Sequence, residues 1–135
     1  MKLLPLLLFA ALSVSAQPVY DVVVYGATAG GVMTAVAAAR QGAKTVVLEP
    51  QHQIGGMVAG GLSGTDVGKR EVIGGLALEF YFRAGRAYAL DRHLQEVAWM
   101  PEPKIAAEVF RALLRESGVT LLEGHRLAEK GGVRR

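Results

Sequence analysis

The chain has 135 residues, 51% of them hydrophobic, which is enough for one small domain with a core and unlike a disordered segment. Fifteen Lys and Arg residues face 12 Asp and Glu residues, giving a formal net charge of +3. The charge is nearly balanced and no aromatic residues interleave with the arginines, so we expect no nucleic-acid partner. The sequence contains no cysteine, which excludes disulfides, thiolate metal sites and cysteine nucleophiles.

The first segment, MKLLPLLLFAALSVSA, has the pattern of a secretory signal peptide. Lys2 supplies the positive charge, residues 3–12 form a short apolar run, and residues 14–16 are a small-residue cleavage site. We therefore expect residues 1–16 to be removed on export to the periplasm or the exterior. The remaining residues 17–135 would then have no stable membrane span. The alternative is a buried N-terminal helix or an uncleaved anchor.

The next stretch predicts a strand, a helix and a second strand. Residues 19–25 contain consecutive valines, which is typical of a central parallel strand that is buried on both faces. The alanine-rich residues 34–40 favour a helix that Gly42 ends, and residues 44–49 read as a second buried strand. This order and length predict a parallel βαβ unit.

A glycine-rich turn, GATAGG, joins the first strand to the helix. Gly26 would allow a tight turn and Gly31 a close packing of the helix on the sheet. The N-terminus of the helix offers N–H groups and a positive dipole to a diphosphate. Thr28 replaces the usual middle glycine, but its hydroxyl can donate to a phosphate oxygen or cap the helix, and Gly30 adds space. We predict a diphosphate site formed by Gly26, Ala27, Thr28, Ala29, Gly30 and Gly31.

Glu49 stands at the end of the second predicted strand. A carboxylate at this position can accept hydrogen bonds from both hydroxyls of an adenosine ribose, and it would repel the 2′-phosphate of NADP. Strand, glycine turn, helix, strand and acid in this order together predict that the chain binds a nucleotide.

Further motifs carry a resemblance to a known family. They are VYGATAGGV, IGGM, GGLSGTD, IGGLALEFY and PEPKIAAEVFRALLRESGV, in this order over nearly all of residues 17–135. The chain resembles the flavoprotein superfamily related to glutathione reductase. The likeness is closer to the FAD-dependent oxidoreductase family, in an exported branch sometimes labelled xanthan lyase-like. In that branch a threonine also stands at the middle glycine position.

The resemblance implies an α/β fold, a Rossmann-like FAD-binding βαβ unit with a parallel sheet, and FAD as the cofactor. Glu49 would hold the adenosine ribose, and the backbone of Gly55, Gly56 and Met57 would lie near the flavin. The alternative for these glycines is a flexible loop. Disulfide reductases of the superfamily have Thr-Cys after the paired glycines, where this chain has Met57 and Val58. Without a thiol, a hydride would pass directly between FAD and a small organic substrate.

The remaining sequence predicts two helices and a strand. Residues 75–88 read as a helix that is partly interrupted at Gly85, with aromatic side chains that we assign to the core rather than to a flavin pocket. Residues 103–117 predict an amphipathic helix that Gly118 ends, and residues 119–123 a third strand. By the resemblance, this helix and strand extend the sheet beside the adenine end.

The polar residues outside the nucleotide motifs give no catalytic assignment. His52, His93 and His125 lack the spacing of metal ligands, and we expect them to be surface residues. Lys69 and Arg70 could reach an acidic substrate, but solvated loop charges are the simpler reading. We therefore predict no metal site and name no catalytic residue.

The sequence reaches Arg135 without the Gly-Asp segment that closes over the flavin in the superfamily. We therefore expect the N-terminal part of an FAD-binding domain, incomplete at its C-terminus and binding FAD weakly or not at all by itself. Two alternatives stay open, a non-catalytic nucleotide-binding module and an NAD-dependent dehydrogenase. The Gly55-Gly56 stretch after Glu49 argues against the dehydrogenase. The substrate, the electron acceptor and the oligomeric state are not assigned.

Overall fold

The structure, a computed structural model, describes residues 18–61, 66–88 and 96–131. The predicted signal peptide and His93 lie outside these ranges. These ranges contain three strands, three helices and two short 3₁₀ turns. In chain order they are β1 (Val22–Tyr25), α1 (Ala29–Arg40), β2 (Thr45–Glu49), the turns Gly56–Ala59 and Arg70–Val72, α2 (Gly75–Ala87), α3 (Pro103–Glu116) and β3 (Thr120–Glu123). No helix within these ranges is long and apolar enough to cross a membrane.

The three strands form one parallel sheet in the order β1-β2-β3. Val24 of β1 pairs with Val47 of β2, which pairs with Leu121 of β3. This arrangement confirms the predicted α/β class and the parallel βαβ unit. Because all three strands run in the same direction, their carboxyl ends lie at one edge of the sheet, where loops that bind ligands are found.

The burial expected for β1 was wrong. We expected a central strand covered on both faces, but β2 is the central strand of the described sheet. Val23 and Tyr25 of β1 are 58% and 51% exposed. These two side chains alternate with Val22 and Val24, so they point to the face of β1 opposite the half-buried pair. The run of valines thus predicted a strand correctly but not its surroundings.

The core lies between the sheet and the helices. Val32 and Val36 of α1 are fully buried, as is Val47 of β2. The predicted apolar face of α3 is confirmed, with Ile105 half-buried at its start and four buried side chains, Val109, Phe110, Leu113 and Leu114. Phe80 of α2 is also buried, and its ring stacks on that of Phe110 with centroids 4.4 Å apart. This aromatic residue of α2 packs in the core, as expected.

The interruption predicted at Gly85 was wrong, because α2 continues through this residue. A Cβ atom at Gly85 would overlap the carbonyl oxygen of Glu96. The glycine therefore serves a close approach between α2 and the segment that begins at residue 96. In the same segment, Ala98 N donates a hydrogen bond to Tyr81 O over 3.1 Å.

Four charged side chains join the three helices on the surface. Arg40 of α1 forms two hydrogen bonds with Glu79 of α2, of 2.6 and 2.8 Å. Arg83 of α2 bonds Glu79 over 2.9 Å and Glu116 of α3 over 2.6 Å. Hydrogen bonds lower the pKa of Glu79 from 4.5 to about 2, chiefly the bond from Arg40 and to a smaller extent that from Arg83, against an effect of burial that raises it.

This cluster predicts a loss of stability in acid. A carboxyl group whose pKa is lowered by folding stabilises the protein fully above its unfolded value, and this contribution disappears as the pH falls from about 4.5 toward 2. Solvent screening reduces the effect to about 1–2 kcal/mol. Denaturant unfolding at pH 7 should therefore give Glu79→Gln a lower free energy of unfolding than wild type by that amount. At pH 2.5 the difference should shrink. The exposed acid Glu108 of α3, changed to Gln, is the control; a similar pH-dependent loss in that variant would contradict the assignment.

Candidate functional site

The glycine turn begins directly at the carboxyl end of β1. Gly26 has a φ of +99°, in the left-handed region that favours glycine. Its N–H donates to Leu48 O of β2 over 2.8 Å. The chain therefore turns off the sheet at Gly26 while it stays hydrogen-bonded to the neighbouring strand.

Gly31 lies where the first turn of α1 passes over Gly26. A Cβ atom at Gly31 would overlap the carbonyl oxygen of Gly26, whereas one at Gly30 would have nothing within 4 Å. The predicted close packing at Gly31 and the predicted open space at Gly30 are both present. The start of α1 is thereby held against the end of β1 and left open above Gly30.

Thr28 is the N-terminal cap of α1. Its Oγ1 accepts from Gly31 N over 3.1 Å, and its carbonyl oxygen accepts from Val32 N over 2.8 Å. The backbone is extended, with φ of −64°, which suits threonine as well as glycine. Since capping uses only a lone pair, the hydroxyl proton can still be donated to a ligand. No acidic residue stands in the first turn of α1, so no side chain of the helix itself offsets its positive end.

The carboxylate of Glu49 is buried beside the turn, with the residue only 8% exposed. Oε2 accepts from Ala27 N over 2.7 Å, and Oε1 accepts from Gln51 N over 2.8 Å. A carboxylate offers about four lone-pair positions, so further acceptor capacity remains on both oxygens. Glu49 thus joins the glycine turn to the loop after β2 and can still accept hydrogen bonds.

The second glycine loop is docked on the first. Gly55 N donates to Ala27 O over 2.7 Å, and Thr28 and Gly55 form a parallel bridge. A Cβ atom at Gly56 would lie 3.3 Å from Thr28 Cα, which is a tight contact. Residues 56–59 form a 3₁₀ turn. These residues are therefore attached to the first glycine turn and do not form the flexible loop that was the alternative interpretation. Residues 62–65 lie outside the described ranges.

A cavity of about 340 Å³ opens between the two loops and the end of β2. Its volume is near the lower end of the roughly 300–1,000 Å³ of ligand pockets. The lining residues come from the turn, the strand end and the second loop: Ala27, Thr28, Glu49, Gln51, Gln53, Gly56, Met57 and Gly60. The cavity is large enough for one part of an extended ligand.

The predicted site residues fall into two groups. Five of them line this cavity directly: Ala27, Thr28, Glu49, Gly56 and Met57. The others lie beside or behind it: Gly26 and Gly31 shape the turn, Ala29 and Gly30 begin α1, and Gly55 is buried. Sequence reasoning missed Gln51, Gln53 and Gly60. The two glutamines alternate after Glu49, and this spacing was the available signal.

The remaining polar candidates lie elsewhere. His52 Nδ1 is 3.8 Å from Glu123 Oε2, and His125 Nδ1 is 2.7 Å from Glu123 O. Arg70 lies over the ring of Trp99, 5.4 Å from its centroid. None of these residues lines the cavity, and no group of three potential metal ligands occurs in residues 18–61, 66–88 and 96–131.

A larger groove of about 1,000 Å³ lies between α2 and α3. It is lined by members of the surface charge cluster, among them Glu79 and Arg83, and by no residue of either glycine loop. Size alone therefore does not locate the site; the convergence of strand ends, helix N-terminus and buried carboxylate does.

Comparison with protein families gives a match over most of the chain. The model of a family described as FAD dependent oxidoreductase matches residues 21–132. This range includes both glycine loops, all three strands and all three helices. No curated protein matches the sequence significantly.

Solved structures show similarity at low sequence identity. AlpK is 17% identical over 81% of this chain, with a TM-score of 0.50. Thermovibrio ammonificans THI4 is 16% identical over 84%, with a TM-score of 0.47, and a 2-naphthoyl-CoA reductase complex is 20% identical over 79%, with a TM-score of 0.45. The chain spans 24%, 43% and 11% of these three proteins, respectively. The likeness to AlpK supports the fold alone.

Two neighbouring glycines give a matched test of the turn. Gly31→Ala should destabilise the protein by about 2–4 kcal/mol, because its Cβ has no room beside Gly26. Gly30→Ala should leave stability unchanged or raise it by about 0.5–1 kcal/mol, because alanine favours the helix and the space is open. Chemical denaturation of both variants checks this. Equal effects at the two positions would show that the helix does not approach Gly26 closely.

Proposed function

Because this chain belongs to the FAD-dependent oxidoreductase family, we propose that the two glycine loops and Glu49 form the site for the adenosine diphosphate part of FAD. The single observation that supports this placement most strongly is the cavity in which Thr28 and Glu49 meet. It brings a helix N-terminus, suited to a diphosphate, next to a buried carboxylate, suited to a ribose.

The residues present fit these chemical groups. The first N–H groups of α1 have no carbonyl partner within the helix, and of these Gly31 N donates to Thr28 Oγ1. The space beside Gly30 is open. The Thr28 hydroxyl adds a donor for a phosphate oxygen. Glu49 holds the ribose through the acceptor capacity left by its bonds to Ala27 and Gln51. Its negative charge disfavours a 2′-phosphate, so NADP is a poor ligand for this site.

The chemistry belongs to the cofactor and the positioning to the chain. FAD, when bound, supplies a flavin that accepts a hydride from an organic substrate. In this proposal residues 26–31 neutralise and orient the diphosphate, and Glu49 fixes the rotation of the ribose. Met57, which is exposed at the rim of the cavity, would lie toward the flavin. Residues 1–135 contain no cysteine, so in this proposal no thiol of this part of the protein relays electrons to the flavin.

A second candidate function is nucleotide binding without catalysis. Among the described residues that line the cavity, Glu49 alone has a titratable side chain, and this observation favours the second function. Both oxygens of that side chain are already hydrogen-bonded. Substrate turnover with bleaching of the flavin by a longer protein of this sequence would decide for the oxidoreductase.

We also propose that the protein is exported and that residues 1–16 are its signal peptide. The support is the pattern of charge, apolar run and small residues in the sequence. The mass of the protein recovered from the exterior or periplasm tests the proposal, since cleavage leaves Gln17 as the first residue. Membership of the narrower branch labelled xanthan lyase-like stays a prediction.

Nucleotide titration followed by NMR tests the site even where binding is weak. We expect FAD and ADP to shift the backbone amide signals of Thr28, Ala29 and Gly30, and FMN, which lacks the adenosine ribose and the diphosphate bond, to leave them unchanged. Glu49→Gln should weaken the ADP effect about tenfold, since a charged acceptor is lost. Glu123→Gln is the control, because Glu123 pairs with Glu49 across the sheet but faces Arg111 at 2.6 Å.

Three results would count against the proposal. Shifts caused equally by FMN would place the ligand elsewhere, and equal weakening by Glu123→Gln would remove the special role of Glu49. Signals of α1 that stay unchanged at millimolar ADP would show that the helix N-terminus binds no diphosphate.

A further inference from the structure

The aromatic ring of Phe110 lies directly under the second glycine loop. A Cβ atom at Gly55 would be 2.6 Å from Phe110 Cδ2, 2.7 Å from Phe110 Cε2 and 2.9 Å from Ala59 Cβ. Gly55 also has a φ of +100°, a conformation that L side chains rarely adopt. The ring therefore occupies the space that any side chain at position 55 would need.

Phe110 is itself held from two sides. It lies on α3, is 1% exposed, and stacks on Phe80 of α2 with the two ring planes inclined by only 15°. Both residues belong to the buried core, so the position of the Phe110 ring depends on α2 as well as on α3.

A short series of contacts connects this ring to the candidate site. Gly55 N donates to Ala27 O over 2.7 Å, and Ala27 N donates to Glu49 Oε2 over 2.7 Å. The two hydrogen bonds fix both sides of the Ala27 residue in the glycine turn. A shift of Gly55 would therefore change the orientation of the turn and the position of the carboxylate that it binds.

From this geometry we propose that Phe110 is a positioning residue of the nucleotide site. Its ring keeps Gly55 in the left-handed conformation, Gly55 holds the carbonyl of Ala27, and the glycine turn is thereby set before any ligand arrives. Phe110 does not line the cavity that contains Glu49, but with Ala29 and Gly30 it lines a separate cavity of about 240 Å³. The inference rests on the proposed function for the identity of the ligand, but its structural part can be tested without one.

A purely structural role for Phe110 predicts a different result from a positioning role. If the ring served only as core volume, its replacement would loosen the whole domain evenly. If it positions Gly55, the hydrogen bond from Gly55 to Ala27 should loosen more than the rest of the domain. The readout is therefore the exchange of one amide, compared with the stability of the whole protein.

The experiment uses the full chain with Phe110→Leu and, as the control, Leu114→Val. Leu114 is equally buried on α3 but is not among the nearest neighbours of Gly55. Without nucleotide, hydrogen exchange at Gly55 N–H should quicken roughly tenfold more in Phe110→Leu than the change in global stability accounts for. In Leu114→Val it should follow global stability. Should Gly55 exchange follow global stability in both variants, the positioning role is refuted.

A ligand titration then connects the two proposals. ADP binding should weaken about fivefold in Phe110→Leu and stay within twofold in Leu114→Val. Failure of ADP to bind wild type would contradict the proposed function, while the exchange result would still decide the role of Phe110. If exchange at Gly55 quickens but ADP affinity does not change, the ring positions the loop and not the site, and the proposal fails.

Where Phe110→Leu does not fold, Phe110→Met replaces it, because the longer side chain fills more of the space. A double-mutant cycle with Gly55→Ala gives an independent measurement. The strain of alanine at a φ of +100° is common to both backgrounds and cancels in the cycle. Gly55→Ala should lower the folding equilibrium constant in both backgrounds. We expect the factor of this decrease to be at least five times smaller in Phe110→Met than in wild type. Equal losses in the two backgrounds would show that the ring does not control position 55.

Discussion

The site depends on the contact between the buried carboxylate of Glu49 and the backbone of Ala27. Ala27 follows the end of β1, and Glu49 is the last residue of the neighbouring parallel strand β2. The register that pairs Tyr25 with Leu48 brings both residues to the same edge of the sheet. The bond of 2.7 Å from Ala27 N to Oε2 is charge-assisted and shielded from solvent. This hydrogen bond joins the glycine turn after β1 to the end of β2, and together they form one wall of the cavity. The helix N-terminus, the second glycine loop and the position proposed for the ribose are all defined relative to this bond.

The second glycine loop contributes rigidity as well as space. A loop with paired glycines is expected to be mobile when considered alone. Here Gly55 lies against the ring of Phe110 and donates a hydrogen bond to Ala27 O, and Gly56 fits tightly against Thr28. Lack of side chains at these positions permits close contact between backbones, so the glycines bring the two loops together. These contacts within the protein hold the walls of the cavity in place, which reduces the ordering cost of binding.

Much of the fold could be predicted because its signals are local. Valine runs, the alanine-rich helix, the apolar face of α3 and the stop at Gly118 depend on neighbours within a few residues, and each predicted element is present. The exposure of Val23 and the continuity of α2 through Gly85 depend on which distant segments pack there, and both predictions were wrong. The ion pair between Arg40 and Glu79 and the packing of Phe110 under Gly55 join residues far apart in the chain, for which a single sequence carries no signal. For the site, the glycine turn and Glu49 could be predicted from motif spacing. The alternation of Gln51 and Gln53 after Glu49 was a weaker signal, and the contribution of Gly60 depends on how the two loops pack together.

The departure at Thr28 shows which glycines of such a turn are required by physics. Gly26 has a positive φ and Gly31 has no room for a Cβ atom, so each excludes other residues for a separate reason. Thr28 has an extended backbone that any residue can adopt, and its side chain caps the helix that would otherwise begin with unsatisfied N–H groups. A middle glycine would therefore give a ligand more space at the cost of the cap. Since Gly30 already leaves the space above the first turn of α1 open, threonine keeps both the cap and the approach to the helix N-terminus.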